Sequence, residues 1–254
     1  MVRREDSSSG ARIRRVAEKE THHSLAKMLF FDMEGTIFKK AIPPAKTNVP
    51  PSAWFVIAEK LGPQALEEEL STQHRWKKGE YPNYMAWMEE TVLIHKKYGL
   101  NKILFQNVID GIEFTPGVKE AFRYINKAKV PTCLLSGGFK YQADKAIREL
   151  KIKHAFIGCE YFWDENGNLD HWVLSPSDEA GKVSFMKLMI KEYKIKKEEC
   201  VFVGDGDNDI HLAKEVGTSI AFNASERLAK FAKFSIRQEP HKENFMEVLK
   251  YLDI

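Results

Sequence analysis

The sequence is poor in features that would mark a secreted, membrane or zinc-binding protein. Its three cysteines, Cys133, Cys159 and Cys200, lie far apart and lack CxxC spacing, so neither a disulfide framework nor a cysteine-rich zinc site is predicted. No apolar run reaches the roughly 18 residues of a membrane helix. The N-terminal residues lack the apolar stretch of a secretory signal. We therefore expect a cytoplasmic chain that makes no use of a membrane.

Positive and negative charges balance over most of the chain. The net charge is +3, but residues 1–27 hold seven Lys/Arg against four Asp/Glu, and the remainder carries 32 of each sign. A nucleic-acid-binding protein is expected to carry a basic face on its folded part, so no nucleic-acid partner is predicted. Residues 1–24 lack apolar periodicity, which predicts a flexible leader.

Short apolar runs alternate with helical patterns over most of the sequence. The predicted strands are 25–31, 130–135, 200–203 and 218–222. The predicted helices between them include 116–128 and 141–150. This alternation indicates an α/β fold, a doubly wound, Rossmann-like parallel sheet with helices on both faces. Aromatic runs around a turn-rich centre predict a β-hairpin within 160–174.

The strand pattern disappears between the first strand and about residue 113. Proline starts and glycine stops predict three helices there, at 50–62, 64–79 and 82–99. The predicted organisation is an α/β core, 25–39 and 114–254, with an inserted all-helical cap domain, 40–113. Because the insertion follows the polar end of the first strand, where such sheets bind ligands, it is placed to act as a lid.

Polar residues follow the first predicted strand in the run DMEGT at 32–36. Two carboxylates on one loop can divide covalent catalysis, with Asp32 as nucleophile and Glu34 as proton donor and later as base. An ordinary turn would also explain the pair.

Two further clusters suit phosphate. Ser136 lies in LSGGF at 135–139, where a hydroxyl and backbone N–H groups precede a helix, a combination that binds anions. Lys182, in EAGKV, could neutralise phosphoryl oxygens and keep Asp32 ionised. Alone, the serine would be explained as a helix cap and the lysine as a surface charge.

The last cluster is VGDGDND at 203–209, directly after a predicted strand. Its oxygen-rich side chains suit Mg²⁺, which takes only a few carboxylates. A calcium-binding EF-hand needs glycine at position six and glutamate at position twelve. Counted from Asp205, these positions hold Ile210 and Val216, so the calcium-loop hypothesis fails.

In order and spacing, these four motifs resemble those of the haloacid dehalogenase superfamily. The residues of the second and fourth motifs most resemble those of the phosphoserine phosphatase-like branch. That branch carries a helical cap between the first and second motifs. The resemblance implies a set of catalytic residues, Asp32, Glu34 and Lys182. It implies phosphate contacts from Thr36, Ser136, Gly137 and Asn208. It implies Mg²⁺ ligation by Asp32, the carbonyl of Glu34, Asp205 and, directly or through another ligand, Asp209.

The function implied is a Mg²⁺-dependent phosphatase that forms an aspartyl-phosphate on Asp32 and acts on a small phosphorylated metabolite. Two alternatives stay open. Glu34 stands where family phosphatases usually carry Asp, and related phosphotransferases that use an alcohol acceptor have a similar Asp-x-Glu. A non-catalytic binding or regulatory module on the same scaffold is the other alternative. The sequence leaves the oligomeric state open.

The cap departs from true phosphoserine phosphatases, which hold the serine carboxylate with an arginine and the amine with a glutamate. Thr91 and Ala41 fall near those positions, and Arg75 is the one arginine between 40 and 101. Because a bidentate carboxylate clamp needs arginine, we predict weak or no activity on phosphoserine.

The cap is also rich in large apolar side chains, namely Trp54, Phe55, Trp76, Tyr81, Tyr84, Trp87 and Met88. Their helical spacing predicts that most pack between cap helices and that one or two line the substrate pocket. His74, His95 and His211 are interpreted as surface or satisfied core residues.

Overall fold

The structure, a computed structural model, describes residues 25–41 and 51–254. The predicted leader, 1–24, lies outside these residues. The strands are β1 (Met28–Phe31), β2 (Thr132–Phe139), β3 (His154–Trp163), β4 (Leu169–Leu174), β5 (Cys200–Gly204), β6 (Thr218–Phe222) and β7 (Phe234–Ile236). They form one sheet in the order β4-β3-β2-β1-β5-β6-β7. Every neighbouring pair is parallel except β3 and β4, which confirms the predicted sheet.

Helices fill the connections between the strands. They are α1 (Ala53–Leu61), α2 (Pro63–Lys77), α3 (Tyr84–Lys97), α4 (Lys102–Asp110), α5 (Val118–Ala128), α6 (Lys140–Leu150), α7 (Ala180–Tyr193), α8 (Ile210–Ala213) and α9 (Glu226–Phe231). A 3-10 helix, Phe245–Tyr251, lies near the C-terminus. Among the described segments, no helix has both the length and the apolar composition of a membrane span.

Alternation along β1 places its side chains on opposite faces of the sheet. Phe31 packs against Phe122 of α5, with ring centroids 5.0 Å apart, and against Phe245 at 6.2 Å. Phe30 belongs to the core on the other face, which includes Met186 of α7. Both faces of β1 are therefore covered, as a continuous apolar strand requires.

The first three helices of the insertion begin and end near the proline and glycine residues that predicted their limits. Ser52 caps α1 by accepting from the N–H of Trp54, and Asn83 caps α3 by accepting from the N–H of Ala86 at 3.0 Å. The prediction missed α4. Its start is marked by Asn101, which accepts from Leu104 N–H at 2.9 Å, and no proline precedes it.

The two segments that connect the insertion to the sheet lie side by side. The N–H of Lys39 donates to the carbonyl of Glu113 at 2.9 Å. The rings of Phe38 and Phe114 stack with centroids 4.4 Å apart. These contacts lie beside the predicted limits of the cap, 40–113, which stay a prediction.

β2 and β3 extend beyond their predicted ranges, and β7 was not predicted. β2 runs on to Phe139 and contains an irregularity between Ser136 and Phe139, so the Ser-Gly-Gly segment belongs to the strand rather than to a loop. β3 pairs with β2 before it enters the predicted hairpin with β4. β7 has only three residues, too few to show a period of two.

The packing of α5 yields a stability prediction. We expect Phe122→Ala to lower the free energy of unfolding by about 3–5 kcal/mol, because it empties a site between two other rings. Tyr124→Ala removes an aromatic ring from the same helix, but that ring is 54% exposed, so we expect a change within about 0.5 kcal/mol. Urea unfolding of both variants checks this, and equal losses would contradict it.

Candidate active site

The ends of three adjacent strands bring the predicted residues together. Asp32 follows β1, Ser136 lies near the end of β2, and Asp205 follows β5. Because parallel strands end at the same edge of a sheet, these side chains meet there. The N–H of Asp32 donates to the carbonyl of Val203 at 2.9 Å. Carboxylate oxygens of Asp32, Asp205 and Asp209 all lie within 4.8 Å of one another.

Lys182 is a fully buried positive charge among these acids. It lies in the first turn of α7, with its Nζ 2.5 Å from Asp32 Oδ1 and 2.6 Å from Asp209 Oδ1. Asp178 lies 3.5 Å away. Burial by itself would lower the pKa of Lys182, but the three carboxylates outweigh it and raise the pKa well above its usual value. Burial raises the pKa of Asp32, and the Lys182 ammonium is the largest opposing effect.

Asp209 organises the loop after β5. Its Oδ2 accepts from the N–H groups of Asp205 and Gly206 at 3.0 and 3.1 Å, while Oδ1 binds Lys182. Both oxygens are therefore engaged within the protein. This arrangement suits a residue that orients a metal ligand rather than one that binds metal directly.

Asp205 is held from two sides. Its Oδ1 accepts from the Thr36 hydroxyl at 3.2 Å, and its Oδ2 pairs with Lys40 Nζ at 2.6 Å. Gly35 lies against the same carboxylate at φ +87°, and a Cβ there would come within 2.3 Å of Asp205 Oδ2. Thr36 is fully buried and does not line the cavity between the sheet edge and the helical insertion. In place of the predicted phosphate contact, we infer that Thr36 positions Asp205.

The acidic cluster fits Mg²⁺ by its chemistry. The donors are carboxylate oxygens from two loops, and Mg²⁺ prefers few such ligands together with water. Asp32 and Asp205 are the side chains that would hold the ion, with the carbonyl of Glu34 as the predicted third ligand.

Glu34 connects the catalytic loop to the insertion. Its Oε1 accepts from the backbone N–H groups of Ala41, at 3.0 Å, and Ala53, at 2.9 Å. Burial raises the pKa of Glu34 to about 7, although these two N–H groups oppose the rise. A carboxyl group that titrates near neutral pH is suited to both proton donation and proton uptake.

The predicted phosphate-binding residues border the same cavity. Ser136 Oγ accepts from Gly138 N–H at 3.0 Å, and Asn208 Nδ2 donates to Asp178 Oδ1 at 2.7 Å. Gly137 has no room for a side chain, because a Cβ would lie 2.5 Å from the hydroxyl of Tyr84. The backbone of this strand can therefore approach a ligand closely.

Sequence reasoning missed Lys40 and Asp178, both of which line the cavity. Asp178 stands four residues before Lys182 and contacts both Lys182 and Asn208, so its spacing was a usable signal. Lys40 is one of 39 basic residues, and only the fold selects it.

A cavity of about 310 Å³ lies between the sheet edge and the insertion. The prediction that one or two large apolar residues line it is wrong, since five do: Trp54, Phe55, Tyr84, Trp87 and Met88. Trp76 stacks on Trp87 at 5.1 Å, and Tyr81 donates to Glu90. Helical spacing gives the face of each helix but not which faces surround a cavity.

The histidine interpretation is correct for two of three residues. His74 and His211 are exposed. His95 is fully buried, and its Nε2 has no hydrogen-bond partner among the described residues. It is therefore not a satisfied core residue.

A comparison with known protein families adds to the evidence from the motifs, the sheet order and the buried acid–lysine cluster. A profile for haloacid dehalogenase-like hydrolases matches residues 26–217. The chain belongs to this family. The match confirms the family indicated by the motifs.

Relatives refine this placement. A phosphoserine phosphatase of Archaeoglobus fulgidus is 29% identical over 240 residues, 90% of this chain and 64% of that protein. Another, of Lactococcus lactis subsp. lactis, is 31% identical over 158 residues, 61% of this chain and 69% of that protein. The chain thus spans just under two thirds of the length of the Archaeoglobus relative. These similarities support the phosphoserine phosphatase-like branch of this family.

A solved structure shares the fold. Described as a phospho-aspartyl intermediate analogue of phosphoserine phosphatase, it superposes with a TM-score of 0.69 at 23% identity, over 89% of this chain and 99% of that one.

The acidic cluster predicts stabilisation by a divalent cation. We expect Mg²⁺ to raise the melting temperature, with a gain of about 2.7 kcal/mol at a hundred times its dissociation constant. Asp205→Asn should remove most of this Mg²⁺-dependent gain. Asp207→Asn is the matched control, because Asp207 lies in the same loop but pairs with Arg227. Calorimetric melting with and without Mg²⁺ checks this, and equal gains in both variants would refute the assignment.

Proposed function

We propose that the protein is a Mg²⁺-dependent phosphatase that hydrolyses a small phosphomonoester through an aspartyl-phosphate on Asp32. The observation that carries this proposal is the buried contact of Lys182 with Asp32, beside Asp205, in a cavity bordered by Ser136 and Asn208. Free, buried cysteines support the expected reducing, cytoplasmic setting.

Asp32 is placed to attack phosphorus. Lys182 binds Oδ1 and favours the ionised carboxylate, which leaves the second oxygen as nucleophile. Bound Mg²⁺ would neutralise charge on the phosphoryl oxygens. Ser136 and Asn208 would hold these oxygens, so positioning and charge neutralisation supply most of the catalysis.

The proposed hydrolysis has two steps, formation of the aspartyl-phosphate and its hydrolysis. An Asp32 oxygen forms a bond to phosphorus while the ester P–O bond breaks, and Glu34 gives its proton to the leaving oxygen. Water then attacks phosphorus, Glu34 takes the proton, and the Asp32 carboxylate is regenerated as inorganic phosphate leaves. The contacts of Glu34 with Ala41 and Ala53 keep its carboxyl group beside the cavity.

The lining of the cavity argues against phosphoserine as the preferred substrate, despite the names of the relatives. Among the described residues, no arginine lines the cavity. Arg75 pairs with Glu90 instead, and Thr91 is the side chain at the cavity wall. The serine carboxylate would therefore lack a bidentate partner.

The nucleophile assignment is tested by substitution. We expect Asp32→Asn to lower kcat for 4-nitrophenyl phosphate with Mg²⁺ by about a thousandfold or more, because the amide cannot form the covalent intermediate. Steady-state kinetics give kcat, and circular dichroism confirms the fold. Asp170→Asn, at an exposed position on β4, should keep wild-type kcat.

Three outcomes would change the proposal. Retained turnover in Asp32→Asn excludes covalent catalysis at this position. Diversion of phosphate to added glycerol at the expense of free phosphate makes the enzyme a phosphotransferase. Absence of any Mg²⁺-dependent hydrolysis, together with salt-sensitive RNA binding that requires residues 1–24, favours a binding module.

A further inference from the structure

The cavity contains an acidic side chain that the proposed chemistry does not use. Glu69, on α2, lines the cavity and is only 2% exposed. Its Oε2 has no hydrogen-bond partner among the described residues. Burial raises the pKa of Glu69 to about 8, with no basic side chain of the described chain opposing it. A buried carboxyl without a partner destabilises a fold.

Two more buried polar atoms without a partner among the described residues lie on α3. Thr91 lines the cavity, is 1% exposed, and its Oγ1 has no partner among the described residues. His95 Nε2, also unpartnered, lies 3.9 Å from Glu69 Oε2, and its Nδ1 bonds to the hydroxyl of Tyr161. We call Glu69, Thr91 and His95 the cap polar cluster.

His95 does not supply a counter-charge to Glu69. Burial lowers the pKa of His95 to about 3, so the imidazole is neutral at physiological pH. Tyr161, which interacts electrostatically with Glu69, has its pKa raised by burial and is neutral as well. An ionised Glu69 would therefore find its positive partner only in a ligand.

The cavity wall beside the cluster is aromatic and fixed in place. The Thr72 hydroxyl donates to the carbonyl of Glu69 at 2.8 Å and accepts from Trp87 Nε1 at 3.0 Å. Trp87 stacks on Trp76 at 5.1 Å and meets the ring of Tyr84 edge-on at 5.8 Å. Aromatic faces attract cations, most strongly where water is excluded.

The charges that line the cavity also favour a cation. Six acids line it, Asp32, Glu34, Glu69, Asp178, Glu179 and Asp205. Lys40 is the basic side chain among the described lining residues, and it pairs with Asp205. Asp32, Asp178 and Asp205 pair with Lys182 or Lys40. Glu34 accepts from backbone N–H groups, and Glu179 bonds to the side chain of Trp76. Glu69 pairs with no lysine or arginine of the described chain.

We propose that the cap polar cluster binds an ammonium group on the leaving alcohol, so that the substrate is a phosphorylated amino alcohol without a carboxylate. Glu69 supplies the counter-charge and Thr91 a second acceptor, while neutral His95 does not compete for the Glu69 carboxylate. A carboxylate on the substrate would be repelled by Glu69, and no arginine among the described lining residues would bind it. This inference rests on the proposed phosphatase function, and the experiments below separate the two.

The first test compares O-phosphoethanolamine with 2-hydroxyethyl phosphate, which replaces the ammonium group by a hydroxyl. We expect wild-type kcat/KM to favour the ammonium by roughly tenfold to a hundredfold, since a hydrogen-bonded charge pair is gained. O-Phosphoserine should fall below O-phosphoethanolamine. Glu69→Gln should bring the ratio of the first two substrates close to one.

The matched control is Glu67→Gln, the same change at an exposed position of α2, which should keep the wild-type ratio. A wild-type ratio of one or less, as expected for a polyol pocket, overturns the proposal. So does a ratio that Glu69→Gln leaves unchanged.

Binding without turnover separates this proposal from the phosphatase mechanism. Titration calorimetry of Asp32→Asn with Mg²⁺ should give the same preference for O-phosphoethanolamine over 2-hydroxyethyl phosphate. If the wild type hydrolyses nothing but this preference is present, the mechanism fails and the ammonium site stands. If Asp32-dependent hydrolysis of 4-nitrophenyl phosphate occurs without the preference, only the ammonium site fails.

Stability gives a readout that does not depend on activity. A carboxyl group whose pKa rises from 4.5 to about 8 on folding keeps its proton longer in the folded state, so its contribution to stability falls as pH rises between these values. The melting temperature of Glu69→Gln should therefore match that of the wild type near pH 5 and exceed it near pH 8. Glu69→Gln that is destabilised equally at both pH values would indicate a structural role and overturn the proposal.

Discussion

The contact of the buried Lys182 ammonium with Asp32 and Asp209 is the interaction on which the rest of the site depends. Carboxylates so close together repel one another, and burial strengthens the repulsion because water no longer screens it. Lys182 offsets this repulsion at 2.5 and 2.6 Å. It can do so because α7 directs its first turn at the ends of β1 and β5. The parallel sheet and the helix that covers it are thus both needed to position Asp32, the proposed nucleophile.

The catalytic loop and the cap are connected through one side chain. Glu34 lies two residues after the nucleophile, yet its carboxyl group is held by backbone N–H groups of Ala41 and Ala53. Movement of the cap would therefore change the surroundings of the proposed proton donor. The proposed chemistry at the sheet edge is therefore connected to the proposed substrate contacts on α2 and α3, as expected of a lid that excludes water.

The acidic residues at the sheet edge and Glu69 in the helical insertion differ in whether their buried oxygens have partners. The core satisfies its buried charges: Asp209 uses both oxygens, and Asp205 accepts from Thr36 and Lys40. In the insertion, Glu69 and Thr91 have unpartnered atoms at the cavity wall, and the unpartnered Nε2 of His95 lies 3.9 Å from Glu69 Oε2. Such local conflicts with folding stability are expected where a fold meets a ligand.

The sequence by itself determined the parallel sheet except for β7, three of the four helices of the insertion and the four motifs, because strand runs, proline starts and glycine stops are local signals. Asp32, Ser136 and Asp205 could be placed at one edge because parallel strands end together. Only the tertiary structure decided that Thr36 faces Asp205, that aromatic residues of the cap surround a cavity, and that Glu69 meets His95 26 residues later. These contacts depend on how helices rotate and pack against one another, and helical periodicity does not encode which neighbour each face will meet.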